Sequence, residues 1–202
     1  MIITIGRSCG SGGLEIAQKL AGRLGVRCYD ADALLEEATR AGCAEEMRAF
    51  LAEKPVNSLL FSIAVENSAR GMGRVPFTLM HQIAEREDFV LLGHCGNYAL
   101  RDRDDLTTLF IHGELEQRVQ RIMRTQDMSE REARRYIHKT DEARRHFHEF
   151  YTGEVWGEAE KYDLTINSFA LGVDATVEML EGFIQAKKGD LCAHCHGMEN
   201  PA

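Results

Sequence analysis

The sequence has no apolar run of the length that a membrane-spanning helix needs, so we expect no helical span. It also lacks an excess of positive charge: 24 Lys and Arg stand against 32 Asp and Glu, which gives a net charge of −8. General nucleic-acid binders are usually basic, so we expect no nucleic-acid partner. No internal repeat, low-complexity segment or linker interrupts the 202 residues, and this length predicts one domain.

The first residues show no basic segment and no cleavage site, so we expect no secretory signal. Six Cys without such a signal indicate reduced thiols and a cytoplasmic protein. We expect Cys9, Cys28, Cys43 and Cys95 to be packed side chains rather than ligands. The segment Cys192-Ala193-His194-Cys195-His196 has the C-x-x-C-H form of a haem attachment site and of half a zinc site. No second ligand pair lies near it, so we predict no resident metal.

Five short apolar runs alternate with helical patterns, which predicts an α/β fold with a parallel sheet. The runs are Ile2–Ile5, Val26–Tyr29, Phe89–Leu92, Thr107–Ile111 and Leu164–Ile166.

Helical spacing predicts a helix after the first run, ended by Gly25, and a last helix over Asp174–Ala186. We predict several helices over residues 33–85, broken near Pro55 and around Gly71–Pro76. A capping box at Ser129–Glu132 predicts the start of another helix.

A glycine-rich segment lies between the first strand and the first helix. In this position, glycines let the backbone bend around an anion while N–H groups at the helix start point at it. The segment is not a full Walker A motif, because Gly13 and Leu14 occupy the Lys and Ser/Thr positions and Arg7 the first Gly position. We favour phosphate binding, with a tight βα turn as the alternative. The candidate residues are Gly10, Ser11, Gly12 and Gly13, with Arg7 as a replacement cation.

Polar residues follow the second and third strands, where parallel sheets bind ligands. Asp30 could hold magnesium through water or accept a proton in phosphoryl transfer, or it could cap a helix. For Asp32, capping is the favoured interpretation. His94 and Asn97 follow the third strand, and for His94 a structural role and a substrate contact carry equal weight. With an ordinary pKa of about 6.5, His94 would gain charge as the pH falls from about 7.5 to 6.

Residues 113–150 are the most highly charged part of the chain. Their basic side chains are Arg118, Arg121, Arg124, Arg131, Arg134, Arg135, Lys139, Arg144 and Arg145. Acidic residues alternate with them, so a solvated ion pair is the default interpretation for any one arginine. Together they predict a basic helical hairpin that closes over phosphates as a lid.

These segments together resemble the cytidylate kinase-like family of P-loop proteins, and the resemblance covers most of the chain. The matching segments are Ile3–Arg7 with Gly10–Ala17, Cys28–Leu34, Val90–Tyr98, Phe110–His112 with Arg118 and Arg121, Thr140–Arg145 and Tyr162–Asn167. The resemblance implies a P-loop NTPase-like three-layer sandwich with a five-stranded parallel sheet. It places one domain over residues 1–186, with a helical acceptor-binding insert over about 35–85 and a helical lid over about 113–150. Residues 187–202 would be a flexible tail.

The resemblance further implies transfer of phosphate from ATP, with Mg2+, to a nucleoside monophosphate such as CMP or dCMP. By position, Arg7 and Gly10–Gly13 would hold ATP phosphates, and Arg118, Arg121 and Arg144 would belong to the lid. Added to the residue patterns, this gives Arg7, Asp30, Arg121 and Arg144 as catalytic candidates, Gly10, Ser11, Gly12, Gly13 and Arg118 as nucleotide-binding candidates, and Asp32, His94 and Asn97 as acceptor-binding candidates.

Two positions differ from the family pattern: His94 stands where Arg is usual, and Leu14 where Arg is frequent. The alternative is therefore a catalytically weak, nucleotide-binding regulatory protein. Our prediction includes no membrane partner and allows a homodimer.

Overall fold

A computed structural model describes residues 1–52 and 74–196, without the side chains of Arg74 and residues 190–196. Its sheet has five strands, all parallel, in the spatial order β2-β3-β1-β4-β5. The strands are β1 Ile2–Arg7, β2 Arg27–Tyr29, β3 Phe89–Leu92, β4 Leu106–His112 and β5 Leu164–Asn167. The predicted α/β fold and its five apolar runs are thus confirmed, with boundaries that move by one or two residues.

The helices of the described residues follow the order that the sequence patterns predict. They are α1 Gly13–Leu24, α2 Ala31–Arg40, α3 Ala44–Leu51, α4 Arg74–Ala84, α5 Gly96–Ala99, α6 Leu115–Gln126, α7 Glu130–Thr152, α8 Ser168–Leu171 and α9 Val173–His196. Two predicted boundary signals are confirmed: Gly25 ends α1 in a left-handed conformation, and Ser129 opens α7 with a capping box. Predicted breaks near Pro55 and Gly71 lie outside the described residues, whereas Pro76 lies in the first turn of α4.

Alternation along the strands creates an apolar core on each face of the sheet, because successive side chains point to opposite faces. Ile2 and Phe89 lie in one core with side chains of α2, α3 and α4. Ile3 and Val90 lie in the other core with side chains of α1 and α9. The result is the predicted three-layer sandwich.

The predicted end of the last helix at Ala186 is wrong. Helix α9 continues to His196, and Lys187 donates to the main-chain oxygen of Leu106 at 2.8 Å and pairs with Asp163 at 2.6 Å. The apolar stripe stops after Ile184, but a helix needs only a continuing backbone hydrogen-bond ladder, and no proline interrupts this segment. Residues 197–202 of the predicted flexible tail lie outside the described residues.

The parallel strands bring the ends of β1, β3 and β4 to one edge of the sheet. Ile5 lies beside Leu92, and Arg7 beside Ile111. The glycine-rich segment, the turn after β3 and the start of α6 therefore meet at this edge, as expected for a ligand crevice. Among the described helices, none is both long and apolar enough to cross a membrane.

Candidate active site

The glycine loop, residues 8–12, joins β1 to α1 and leaves backbone donors open. Gly10 and Gly12 adopt φ values of 78° and 82°, which favour glycine. Within the described residues, the N–H groups of Gly10, Gly12 and Gly13 have no hydrogen-bond acceptor, and α1 has no side-chain cap. Open N–H groups at the start of a helix suit the binding of an anion.

Ser11 shapes the loop from the inside. The residue is only 2% exposed, and its hydroxyl donates to the main-chain oxygen of Ser8 at 2.8 Å. The hydroxyl of Ser168 donates to the main-chain oxygen of Ser11 at 2.6 Å. The Ser11 hydroxyl is thus engaged within the protein, and a phosphate contact by Ser11 stays a prediction.

Helices α6 and α7 pack around the loop. Val119 and Ile122 of α6 and Ala133 and Ile137 of α7 form a buried cluster with the side chain of Cys9. This packing confirms the expectation that Cys9 is a packed side chain. It also seats the charged hairpin directly against the glycine loop.

A partly buried ion pair connects the hairpin to the loop. Asp141 of α7 accepts a hydrogen bond of 2.7 Å from the N–H of Cys9 and pairs with Arg118 of α6 at 2.6 Å. Arg118 also donates to the main-chain oxygen of Cys9 at 3.1 Å. Both charged side chains are only 14% exposed. The carboxylate thereby engages a loop amide in the way that a phosphate oxygen would.

The other two lid candidates also reach the first strand and the loop. Arg121 pairs with Glu15 at 2.6 Å, and a Cβ on Gly12 would lie 3.3 Å from its guanidinium carbon. Arg144 donates to the main-chain oxygen of Arg7 at 3.3 Å. The arginines that the sequence analysis selected as lid residues are therefore brought together around the crevice.

Two glycines make room for the side chain of Arg7. A Cβ on Gly13 would lie 2.6 Å from the Cβ of Arg7, and a Cβ on Gly93 would lie 1.7 Å from its Nη1. The side chain therefore begins beside the glycine loop and ends beside the turn after β3. Its predicted contact with ATP phosphates stays a prediction.

The turn after β3 holds three successive residues at positive φ: Gly93 at 77°, His94 at 53° and Cys95 at 57°. Such conformations are costly for side chains larger than glycine and recur at functional sites. The ring of His94 is buried against Phe50 and Phe147, at centroid distances of 6.3 and 6.4 Å. Its role as an acceptor contact stays a prediction.

Burial, with the nearby charges of Arg7 and Arg144, lowers the pKa of His94 to about 3. The expectation that His94 titrates between about pH 7.5 and 6 is therefore wrong. The imidazole stays neutral across that range because it is buried. The expectation failed because the sequence could not show how deep this burial is.

The other predicted site residues lie just beyond the carboxyl ends of β2 and β3. Asp30 caps α2 by accepting a hydrogen bond of 3.0 Å from the N–H of Ala33, which confirms its alternative interpretation. Asp32 is exposed in the first turn of α2 and is not its cap, so the favoured interpretation of Asp32 is wrong. Asn97 of α5 lines a small cavity next to His94. The catalytic role of Asp30 and the acceptor roles of Asp32 and Asn97 stay predictions.

Sequence analysis missed the acidic partners Asp141 and Glu15 and the cavity residues Thr4 and His148. The signal for His148 is its spacing, since residues 144 and 148 are one helical turn apart on α7. No pattern in the sequence marks Thr4, which is an internal residue of β1.

Comparison with known proteins agrees with this geometry. The sequence profile of the cytidylate kinase-like family matches residues 2–170. The chain belongs to the cytidylate kinase-like family. Membership of this family supports nucleotide-dependent phosphoryl transfer in general, and the observed sheet and helices have the P-loop NTPase-like fold.

Two solved structures illustrate how this cytidylate kinase-like chain compares. A protein of uncharacterized function from Eubacterium ventriosum is 26% identical, with a TM-score of 0.73, and the match covers 92% of this chain and 98% of that one. A shikimate kinase from Bacteroides thetaiotaomicron is 16% identical, with a TM-score of 0.52 and the same coverage of 92% and 98%. The second likeness shows the shared fold. No curated protein matches the chain.

Proposed function

We propose that the protein transfers a phosphoryl group from ATP to a nucleoside monophosphate of the CMP or dCMP type, or to a related small acceptor. Family membership supports the proposal. The observation that carries it is the direct contact between the charged hairpin and the glycine loop, through Asp141 and Cys9. This contact holds three hairpin arginines, Arg118, Arg121 and Arg144, near open backbone donors. Phosphoryl transfer requires such groups to bind phosphates and to stabilise their charge.

In this proposal, the N–H groups of Gly10, Gly12 and Gly13 bind ATP phosphates, with added charge from Arg118. Arg121 and Arg144 stabilise the negative charge of the transferring group from the two hairpin helices. The protein contributes positioning and charge rather than covalent chemistry.

The acceptor would lie at the turn after β3. Asn97 and His94 would contact it, and Asp32 would lie at its outer side. Arg7 would lie between the phosphates of ATP and the phosphate of the acceptor. Asp30 would act on the attacking group or on magnesium through water, using the carboxylate oxygen that does not cap α2.

Magnesium would enter with ATP as part of the substrate. In residues 1–52 and 75–189, whose side chains are described, no group of three His, Cys, Asp or Glu could hold a metal ion. Mg2+ commonly binds through substrate phosphates, waters and one or two carboxylates, so the residues present fit a nucleotide-borne ion. When bound, it would neutralise phosphate charge.

A regulatory protein that binds nucleotide without turnover is the second candidate. Its support is the pairing of lid arginines with protein carboxylates, Arg118 with Asp141 and Arg121 with Glu15. An arginine held by a carboxylate has less capacity to follow charge onto a transferring group.

A panel of nucleoside monophosphates and other small acceptors, each incubated with ATP and Mg2+, separates the two candidates through ADP release. Release that depends on one acceptor supports the kinase. ATP binding by calorimetry, with no acceptor-dependent release, supports the regulator. A protein that fails to bind ATP contradicts both. A cytoplasmic location, a homodimer and the absence of a nucleic-acid partner remain predictions beside this proposal.

A further inference from the structure

A small cavity lies beneath the hairpin, between β1, the turn after β3 and α7. Its volume is about 20 Å³, and its wall includes Thr4, Arg7, Arg144, His148 and Trp156. The charged side chains of this wall are Arg7 and Arg144, and none of the described lining residues carries a carboxylate. The charged side chains in the described wall are therefore all positive, and apolar side chains such as Phe147 make up part of the rest.

Three polar atoms of this wall are buried without a hydrogen-bond partner in the described residues. They are Oγ1 of Thr4, Nε of Arg144 and Nε2 of His148. Thr4 is 2% exposed and His148 is 3% exposed. Buried polar atoms are nearly always satisfied, so three orphaned atoms around one cavity indicate a missing polar ligand.

The size and charge of the cavity restrict that ligand. A space of about 20 Å³ holds one water-sized atom. A water molecule would satisfy hydrogen bonds but would bring no charge to Arg144, which has no ion pair within the described residues. One oxygen of an anion fits the same space and supplies the charge, and the rest of the anion would lie outside the cavity.

We propose that this cavity receives one oxygen of the acceptor's phosphate monoester, and that His148 is a specificity-determining residue that holds this oxygen. The inference rests on the proposed function, since it concerns the acceptor of that reaction. Burial lowers the pKa of His148, which opposes protonation, while the carboxylate of Glu154 acts in the opposite direction. The other titratable and charged residues that line the cavity are Arg7, Arg144, Cys95, Tyr162 and the neutral His94. A neutral imidazole offers one N–H donor, and the two guanidiniums supply the charge.

Binding to the full chain can be followed without turnover. With a nonhydrolysable ATP analogue filling the glycine loop, CMP is titrated while the ring resonances of His148 are recorded by NMR, with cytidine as the ligand that lacks phosphate. We expect CMP to shift the His148 signals and cytidine to leave them unchanged. The exposed His146, on the same helix, is the internal control and should not respond. Trp156 is the single tryptophan, so its fluorescence reports the same cavity.

Variants give the second measurement. His148→Asn should weaken CMP binding by about tenfold, the effect of one hydrogen bond to a charged group, whereas His146→Asn should leave it unchanged. Thr4→Val, which keeps the shape of the side chain, should weaken CMP binding in the same direction if His148→Asn does not fold. The proposal is overturned if the His148 signals do not shift with CMP, or if they shift equally with cytidine. Water would then be the ligand of the cavity.

The outcomes separate this inference from the proposed function. If CMP shifts the NMR signals of His148 without ADP release, the phosphate site is supported and the proposed kinase activity is contradicted. The opposite result is acceptor-dependent ADP release, with no response of the His148 signals to CMP and an unchanged acceptor KM in His148→Asn. It would support the kinase activity and contradict the phosphate site.

Discussion

The carboxylate of Asp141 accepts a hydrogen bond of 2.7 Å from the backbone N–H of Cys9, across 132 positions of sequence. This bond joins the hairpin formed by α6 and α7 to the loop that would bind nucleotide. Because Asp141 also pairs with Arg118, one carboxylate fixes both the loop amide and a candidate phosphate-binding cation.

Replacing Asp141 with Asn tests the contribution of this ion pair. The amide oxygen can still accept from Cys9, but the charge opposite the largely buried Arg118 is lost. We expect the free energy of unfolding to fall by about 2 kcal/mol in urea denaturation. Glu142→Gln, an exposed neighbour on the same helix, should change it by no more than about 0.5 kcal/mol. Equal values for the two variants would contradict a structural role for the Asp141 contact.

Removal of the lid arginines tests the catalytic assignment. Arg121→Ala and Arg144→Ala should each lower kcat by about a thousandfold, because a transition-state arginine is worth at least this much in phosphoryl transfer. Arg124→Ala is the matched control: Arg124 is exposed on α6 and, within the described residues, donates only to the main-chain oxygen of Gln120. Full activity in both lid variants would make these arginines surface charges.

Replacing each of two glycines of α1 with alanine should have different effects on ATP binding and on stability. A Cβ on Gly13 would collide with the Cβ and Cγ of Arg7 at 2.6 and 2.8 Å, so Gly13→Ala should displace Arg7 and weaken ATP binding in calorimetry. A Cβ on Gly22 meets no atom of another described residue within 4 Å. Gly22→Ala should raise the free energy of unfolding by about 0.5–1 kcal/mol, because alanine favours the helix, and should leave ATP binding unchanged. Normal ATP affinity in Gly13→Ala would show that the loop tolerates the shift.

Acid should destabilise the fold through its buried histidines. The unfolded chain takes up a proton at His94 near pH 6.5, whereas the folded pKa is about 3, so stability is lost as the pH falls through this window. Between pH 6 and 5, His94 alone should cost about 1.4 kcal/mol per pH unit, and the lowered pKa of His148 acts in the same direction.

His94→Asn isolates this effect, because asparagine tolerates the positive φ of 53° at this position. Urea denaturation at several pH values should show a slope reduced by about 1.4 kcal/mol per pH unit in the variant. His146→Asn should keep the slope of the unmodified protein. Identical slopes for all three proteins would contradict a buried, neutral His94.

The order of strands and helices could be predicted from sequence because local patterns encode it. Apolar runs such as Phe89–Leu92 mark strands buried on both faces, and Gly25 and Ser129 mark helix ends through their own backbone and side-chain chemistry. The end of α9 could not be predicted in this way. Lys187 is anchored by contacts with Leu106 and Asp163 that are distant in sequence.

The sequence by itself determined the parallel α/β fold, the position of the glycine loop and the charged hairpin that follows β4. Those features depend on residue spacing and on backbone propensities within a few turns of chain. Only the tertiary structure decided which partner each charged or polar group receives: Asp141 for Cys9 and Arg118, Glu15 for Arg121, and a buried cavity for His148. Burial and charge at His94 come from β1, α3 and α7 together, and a pKa depends on that three-dimensional surrounding rather than on neighbours in sequence.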